Sequence, residues 1–197
     1  MVKFYENGYL IIQDINSNNI NKKIIDDKIK VAIFSGGCFW CIADPFYNMD
    51  GVIDVLSGYS GGNTYAPSYK EVKSGNTGHK EAILIIYDST IISYKQLIKT
   101  FFENIDPFDG EGQFIDRGSS YQTAVYTNDN EEINCYKEII NYIEIKYNKK
   151  VLVPLLDVST FYLAEEEHQR FSLKNKELFE KEEKISGRNS FDKIKIE

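Results

Sequence analysis

The segment "HKEAILIIYD", His79 to Asp88, alternates for its first residues and then turns wholly apolar. A strand with that pattern is covered on both faces, which places it centrally in a sheet. The rest of the chain must therefore supply neighbouring strands and at least one covering layer. "IKVAIFS" reads as a second buried strand, ending at Gly36-Gly37, and "GVIDVLSGYSGG" as a third, running into the turn at Gly61-Gly62. Ser93 is placed to cap a helix over "YKQLIKTFFENI", which stops before Asp106-Pro107. "YQTAVYT" is a further strand, "DNEEINCYKEIINYIEIKY" an amphipathic helix capped by Asn128, and "VLVPLLDVSTF" a last strand. Between them "DPFDGEGQFIDRGSS" is rich in turn residues and reads as a long surface loop, a type of segment that is often functional.

Strands and helices alternate at irregular spacing, which favours an α+β fold: a two-layer sandwich of a mixed sheet flanked by helices. The 197 residues suit one domain with extensions. Residues 1–29 read as an N-terminal extension, with a hairpin signal at Asn7-Gly8 and a polar linker "NSNNINKK". Residues 30–170 form the main domain. Residues 171–197 read as a charged tail, with "KELFEKEEK" a solvated face.

A formal net charge of -7 and the lack of a Lys/Arg cluster argue against nucleic acid as a partner. No run of about 18 apolar residues is present to span a membrane. The start "MVKFYENGYLIIQD" has no secretion-signal pattern, and three cysteines are an odd number for a secreted disulfide framework. A cytoplasmic location is expected, where a close cysteine pair is more often catalytic or metal-binding than structural.

That pair is Cys38 and Cys41, in "FSGGCFWCIADPF", with Phe39 and the sole Trp, Trp40, between them. Zinc is set aside because a structural site needs four Cys/His ligands and a second close pair is missing; Cys135, His79 and His168 stand apart. A dithiol site of the thioredoxin kind has this spacing, but two large rings between the sulfurs suit the wall of a pocket better than a protein-docking surface. Taken alone, the rings and thiols could simply be core. The glycine pair shifts the balance, since backbone N–H groups and a helix N-terminus beyond it would stabilise a thiolate at Cys38. Pro45 leaves two helix starts open, one near Cys38 and one at Asp44-Pro45.

"GGCFWC", "GYSGG", "PSYKEV", "SGNTGHKEAILIIYD", "FFENIDP", "DRGSSYQTAVY" and "FYLAEEEHQ" stand in the order and spacing of the A-class peptide methionine sulfoxide reductases, which this chain resembles from about Val31 to Gln169. The resemblance implies a ferredoxin-like core and reduction of methionine-S-sulfoxide, in proteins and as the free amino acid. It implies Cys38 as the nucleophile and Glu81, an unremarkable strand carboxylate if met alone, as the general acid. Tyr69 and Tyr121 would hold the sulfoxide oxygen, Asp116 would bind water, and Phe39 and Trp40 would form the methyl-binding wall. His79 is read as structural. No metal or organic cofactor is implied, thioredoxin or another dithiol being the electron donor.

The chemistry fits these residue types. A soft sulfur nucleophile attacking a sulfoxide becomes a sulfenic acid, and a desolvated carboxyl group stays protonated to assist the departing oxygen. Cys41 departs from the commoner family pattern, in which Gly stands there and recycling cysteines lie near a glycine-rich C-terminus; "KEEKISGRNSFDKIKIE" holds no cysteine. Resolution of the sulfenic acid is therefore open among Cys41, Cys135 and an external thiol, with the i,i+3 spacing favouring Cys41. Two rivals remain: a general thiol-disulfide oxidoreductase using Cys38 and Cys41, and a binding module that keeps the pocket without turnover.

Overall fold

The computed structural model describes residues 2–6, 9–13, 20–24 and 28–197, with side chains from residue 28 onward except Asn189. Three short strands come first: β1 (Val2–Glu6), β2 (Tyr9–Gln13) and β3 (Ile20–Ile24). The main body continues with β4 (Ile29–Ser35), α1 (Phe39–Ala43), β5 (Val52–Ser60), α2 (Tyr69–Lys73), β6 (Lys80–Asp88) and α3 (Tyr94–Glu103). Then follow β7 (Gly112–Gln113), β8 (Asp116–Arg117), β9 (Ala124–Tyr126), α4 (Asn130–Tyr147), β10 (Leu155–Leu156), β11 (Phe161–Leu163), α5 (Phe171–Lys174) and α6 (Lys176–Ser186).

The described strands of the main sheet run in the order β10-β9-β4-β6-β5-β11-β1-β2-β3. Its heart, β9-β4-β6-β5, is antiparallel throughout. With α1 after β4 and α3 after β6, this is the β-α-β-β-α-β unit of a ferredoxin-like core. The parallel pair β10–β9 makes the sheet mixed. The expected mixed sheet with flanking helices is thus the observed architecture, and "HKEAILIIYD" supplies its central strand.

Strand parity decides what faces the helices. Phe34 of β4, Val55 and Tyr59 of β5, and Ile83, Ile85 and Tyr87 of β6 join the core under the helices, with Phe39 and Ile42 of α1, Leu97 and Phe101 of α3, and Ile139 and Ile143 of α4. Ile33, Ala82, Leu84, Ala124 and Tyr126 point the other way into a smaller cluster closed by Phe161. Glu81 shares its parity with Ile83 and Ile85. It therefore projects under the helical layer beside α1, a position that an alternating surface strand would have given to solvent.

Several local expectations are corrected. "VLVPLLDVSTF" forms two strands separated by the irregular residues 157–160: β10 pairs with β9 and β11 with β5. The cap of α4 is Asp129, whose carboxylate accepts from the backbone N–H groups of Glu131 and Glu132, while Asn128 accepts from the N–H of Val158. The loop before Tyr121 contains the small hairpin β7–β8. Part of the "NSNNINKK" linker lies in β3, which pairs with β2. β1 and β2 pair antiparallel with Glu6 opposite Tyr9, while Asn7-Gly8 lies outside the described residues.

Candidate active site

β4 delivers the chain to Gly36 and Gly37 at the sheet edge of the helical layer. A side chain on Gly36 would meet Ile42, Phe101 and Ile105 at about 3 Å, and Gly37 has φ +79°, a conformation that favours glycine. The two glycines let the chain turn at once into α1, with Cys38 as its N-cap. The N–H groups of Cys41 and Ile42 donate to the Cys38 carbonyl. The helix thus starts at Cys38, the first of the two starts left open, and Pro45 sits in the 3-10 turn Asp44–Phe46 that follows.

The Trp40 N–H lies against the Cys38 sulfur and favours its anion, as expected of a helix start. It does not win. A hydrogen bond to the Cys41 side chain, then burial, push the Cys38 thiol well above its ordinary range. The Cys38 side chain is thus paired with that of Cys41, and its anion is less favoured than the helix start alone suggests.

Across from it, Glu81 is buried at 2% exposure and accepts a hydrogen bond from the Phe39 N–H at 3.0 Å. Burial is the main influence on its carboxyl group, with the nearby Cys38 charge second, and both raise its pKa well above the usual range; the Phe39 N–H pulls the other way without cancelling them. Tyr69 opens α2 after the Ser68 cap, and its backbone N–H donates to Glu165. The same carboxylate accepts from Tyr59 at 2.7 Å, and Tyr59 stands opposite Glu81 in the β5–β6 register. Glu165 thus locks α2 to the sheet. Burial would raise the Glu165 carboxyl, but the donors from Tyr69 and Tyr59 hold it below its ordinary value.

The hydroxyls of Tyr121, in a 3-10 turn, and of Tyr69 are hydrogen-bonded to each other. Burial raises the Tyr69 hydroxyl to about 12, and that of Tyr121 further, so both are neutral donors at physiological pH. Asp116, on β8, is also raised by burial, with Arg188 opposing. Phe39 packs at 6.3 Å from Tyr69 and 6.1 Å from Trp40, measured between ring centroids. Trp40 is held from behind by Phe171, stacked at 3.7 Å.

Cys38, Cys41, Glu81, Tyr69, Tyr121, Asp116, Phe39 and Trp40 all line one cavity of about 250 Å³. Every residue singled out in the sequence for the site is therefore brought together. Cys135 is not: it lies half-buried on α4, with Glu138, Lys95 and Glu132 the charges around it. His79 is structural, its ring accepting from the Gly62 N–H and contacting the Thr64 carbonyl at 2.8 Å.

Sequence reasoning missed Lys73, Ile115, Phe179, Glu182 and Ser186, which complete the lining. Lys73 lies one helical turn beyond Tyr69, a spacing that could have been used. Phe179, Glu182 and Ser186 form an i, i+3, i+7 stripe on α6, turned inward, so "KELFEKEEK" is solvated on its outer face only. His168, 4.4 Å from the Tyr69 ring centroid and 5.2 Å from that of Phe39, backs the aromatic wall.

The sequence profile of the family described as "Peptide methionine sulfoxide reductase" matches residues 30–197. The chain belongs to that family. A relative, "Peptide methionine sulfoxide reductase MsrA" of Bacillus pumilus, is 42% identical over 170 residues, covering 85% of this chain and 95% of the relative. Among solved structures, methionine sulfoxide reductase A of Corynebacterium diphtheriae superposes with a TM-score of 0.68 at 26% identity, over 77% of each chain. Reduced Mxr1 of Saccharomyces cerevisiae superposes with a TM-score of 0.70 at 25% identity, over 84% of this chain and 90% of that one. Sulfoxide reduction, the activity for which the family is named, agrees with a cavity that sets a cysteine against a buried carboxyl group.

Proposed function

We propose that this chain reduces the S epimer of methionine sulfoxide, in proteins and as the free amino acid, with Cys38 as nucleophile and Glu81 as general acid. The observation that carries the reading is the one cavity in which Cys38 and the buried Glu81 are joined by the hydroxyls of Tyr69 and Tyr121 and an aromatic wall. Phe39 and Trp40 take the S-methyl group, Tyr69 and Tyr121 hold the sulfoxide oxygen, and Asp116 orients water.

The Cys38 sulfur bonds to the sulfoxide sulfur while Glu81 gives its proton to the oxygen. The oxygen then passes to the Cys38 sulfur: an O–S bond to Cys38 forms as the substrate S–O bond and the new S–S bond break, so the thioether leaves and Cys38 is a sulfenic acid. The thiol proton of Cys38 replaces the one Glu81 gave, so no net proton is consumed. Two electrons have passed from the Cys38 sulfur to the substrate. Attack by the Cys41 thiol on the sulfenic acid releases water and leaves a Cys38–Cys41 disulfide, which an external dithiol such as thioredoxin reduces by exchange. The hydrogen-bonded pairing of the two side chains supports Cys41 in this role over Cys135. The catalytic unit in this proposal excludes residues 1–29 and works in the cytoplasm; among the described residues no helix is long and apolar enough to cross a membrane.

The same cysteine pair supports a second reading, a general thiol-disulfide oxidoreductase. Methionine-S-sulfoxide reduction and insulin disulfide reduction, assayed side by side, separate the two. Sulfoxide turnover lost in Cys38→Ser supports the proposal; rapid disulfide turnover without sulfoxide activity overturns it.

A further inference from the structure

The mouth of the cavity carries two charges that the chemistry above does not use. Lys73 comes from α2, with its ammonium 5.6 Å from the Tyr69 ring centroid, and Glu182 comes from α6. Both are exposed at the rim, and among the described residues neither has an ion-pair or hydrogen-bond partner. Their fields converge inside the site: Lys73 acts on Glu81 and Asp116, and Glu182 acts on Asp116. A cation and an anion from two separate elements thus flank one opening whose floor holds the reacting groups.

Free methionine sulfoxide is a zwitterion. With its sulfoxide at Cys38 and Glu81, three single bonds bring its α-carbon toward the rim, where an ammonium and a carboxylate must be accommodated. An internal residue of a peptide presents two neutral amides there instead. We propose that Glu182 binds the α-ammonium and Lys73 the α-carboxylate of free methionine sulfoxide, so that the free amino acid gains contacts at the rim that an internal peptide residue does not make. The inference rests on the reductase reading and adds how this site recognises the free form of its substrate.

The test compares kcat/KM for free methionine-S-sulfoxide, its N-acetyl derivative and its carboxamide, with dithiothreitol as reductant, in wild type, Glu182→Gln, Glu182→Lys and Lys73→Met. In Glu182→Gln the ratio of free to N-acetyl substrate is expected to fall about fivefold, the scale of a partly exposed ion pair, through KM rather than kcat. Glu182→Lys lowers the ratio further. Lys73→Met lowers the ratio of free substrate to carboxamide by a similar factor. Ratios within about twofold of wild type in both Glu182→Gln and Lys73→Met overturn the proposal. If wild type reduces none of the three substrates, the reductase reading itself fails, which is a different result.

Discussion

The backbone N–H of Phe39 donates to the Glu81 carboxyl group at 3.0 Å, so the residue that follows the nucleophile also holds the acid. The bond spans β6 and the first residue of α1, and it fixes Glu81 relative to Cys38 with no side chain intervening. It favours the carboxylate, yet burial and the negative charge of Cys38 outweigh it and raise the Glu81 pKa well above the usual carboxyl range. Acid and nucleophile are therefore coupled through charge as well as position.

Glu81→Gln keeps a carbonyl oxygen for the Phe39 N–H but has no proton to give. The chemical step is expected to slow by about 10²–10⁴-fold in single-turnover assays. In wild type the acid-dependent rate should fall as pH rises through the raised Glu81 pKa, and in Glu81→Gln that limb should vanish. A persistent limb would move the acid role to another residue.

The same substitution should stabilise the fold at alkaline pH. A carboxyl whose folded pKa lies above its unfolded value contributes stability that is full below the unfolded pKa and is lost as pH rises through the folded one. For Glu81 the shift is upward, so wild type loses this contribution above the ordinary carboxyl range and Glu81→Gln does not. Thermal unfolding is expected to show Glu81→Gln gaining on wild type from acid to alkaline pH. A gap that is constant with pH would contradict the cause assigned to the shift.

Cys41 should govern the titration of Cys38. Because the hydrogen bond to Cys41 is the largest influence raising the Cys38 thiol, Cys41→Ala is expected to lower the pH midpoint of Cys38 alkylation by iodoacetamide. Burial remains, so the midpoint should stay above that of a free cysteine. An unmoved midpoint would show that the pair is not coupled.

Arg188 ties the C-terminal segment to the nucleophile turn. Its guanidinium is buried at 6% exposure, donates to the Gly36 carbonyl at 3.3 Å and the Asn104 carbonyl at 3.5 Å, and packs over Phe114. Arg188→Leu should cost about 1–3 kcal/mol in urea unfolding, from carbonyls left without donors. It should also speed amide exchange along α6. Wild-type exchange in α6 would mean that other contacts hold the segment.

How much of this was legible in the sequence depended on the range of the interactions. The central strand showed in the apolar run Ile83–Ile86, and the α3 cap showed at Ser93, because both are local patterns; Ser93 and Gln96 form a complete capping box. The cluster around Cys38 was accessible only through motif resemblance, since Tyr69, Glu81, Asp116 and Tyr121 meet through sheet register and loop closure that no local pattern encodes. The inward stripe on α6 was overlooked because Phe179 is the one large side chain buried there, beside the exposed Leu178 and Ile185, and one buried ring per three turns is a weak periodic signal. The raised Cys38 thiol was also hidden. The helix start suggests a stabilised anion, and only the mutual orientation of Cys38 and Cys41 reverses that.

The most direct test is mass spectrometry of the reduced protein after reaction with one equivalent of methionine-S-sulfoxide and no added thiol. A disulfide joining Cys38 to Cys41 is expected, with Cys135 still a free thiol and one equivalent of methionine released. In Cys41→Ser a sulfenic acid should be trapped at Cys38 instead. Methionine released with Cys38 unmodified, or an undiminished yield from Cys38→Ser, would contradict the account.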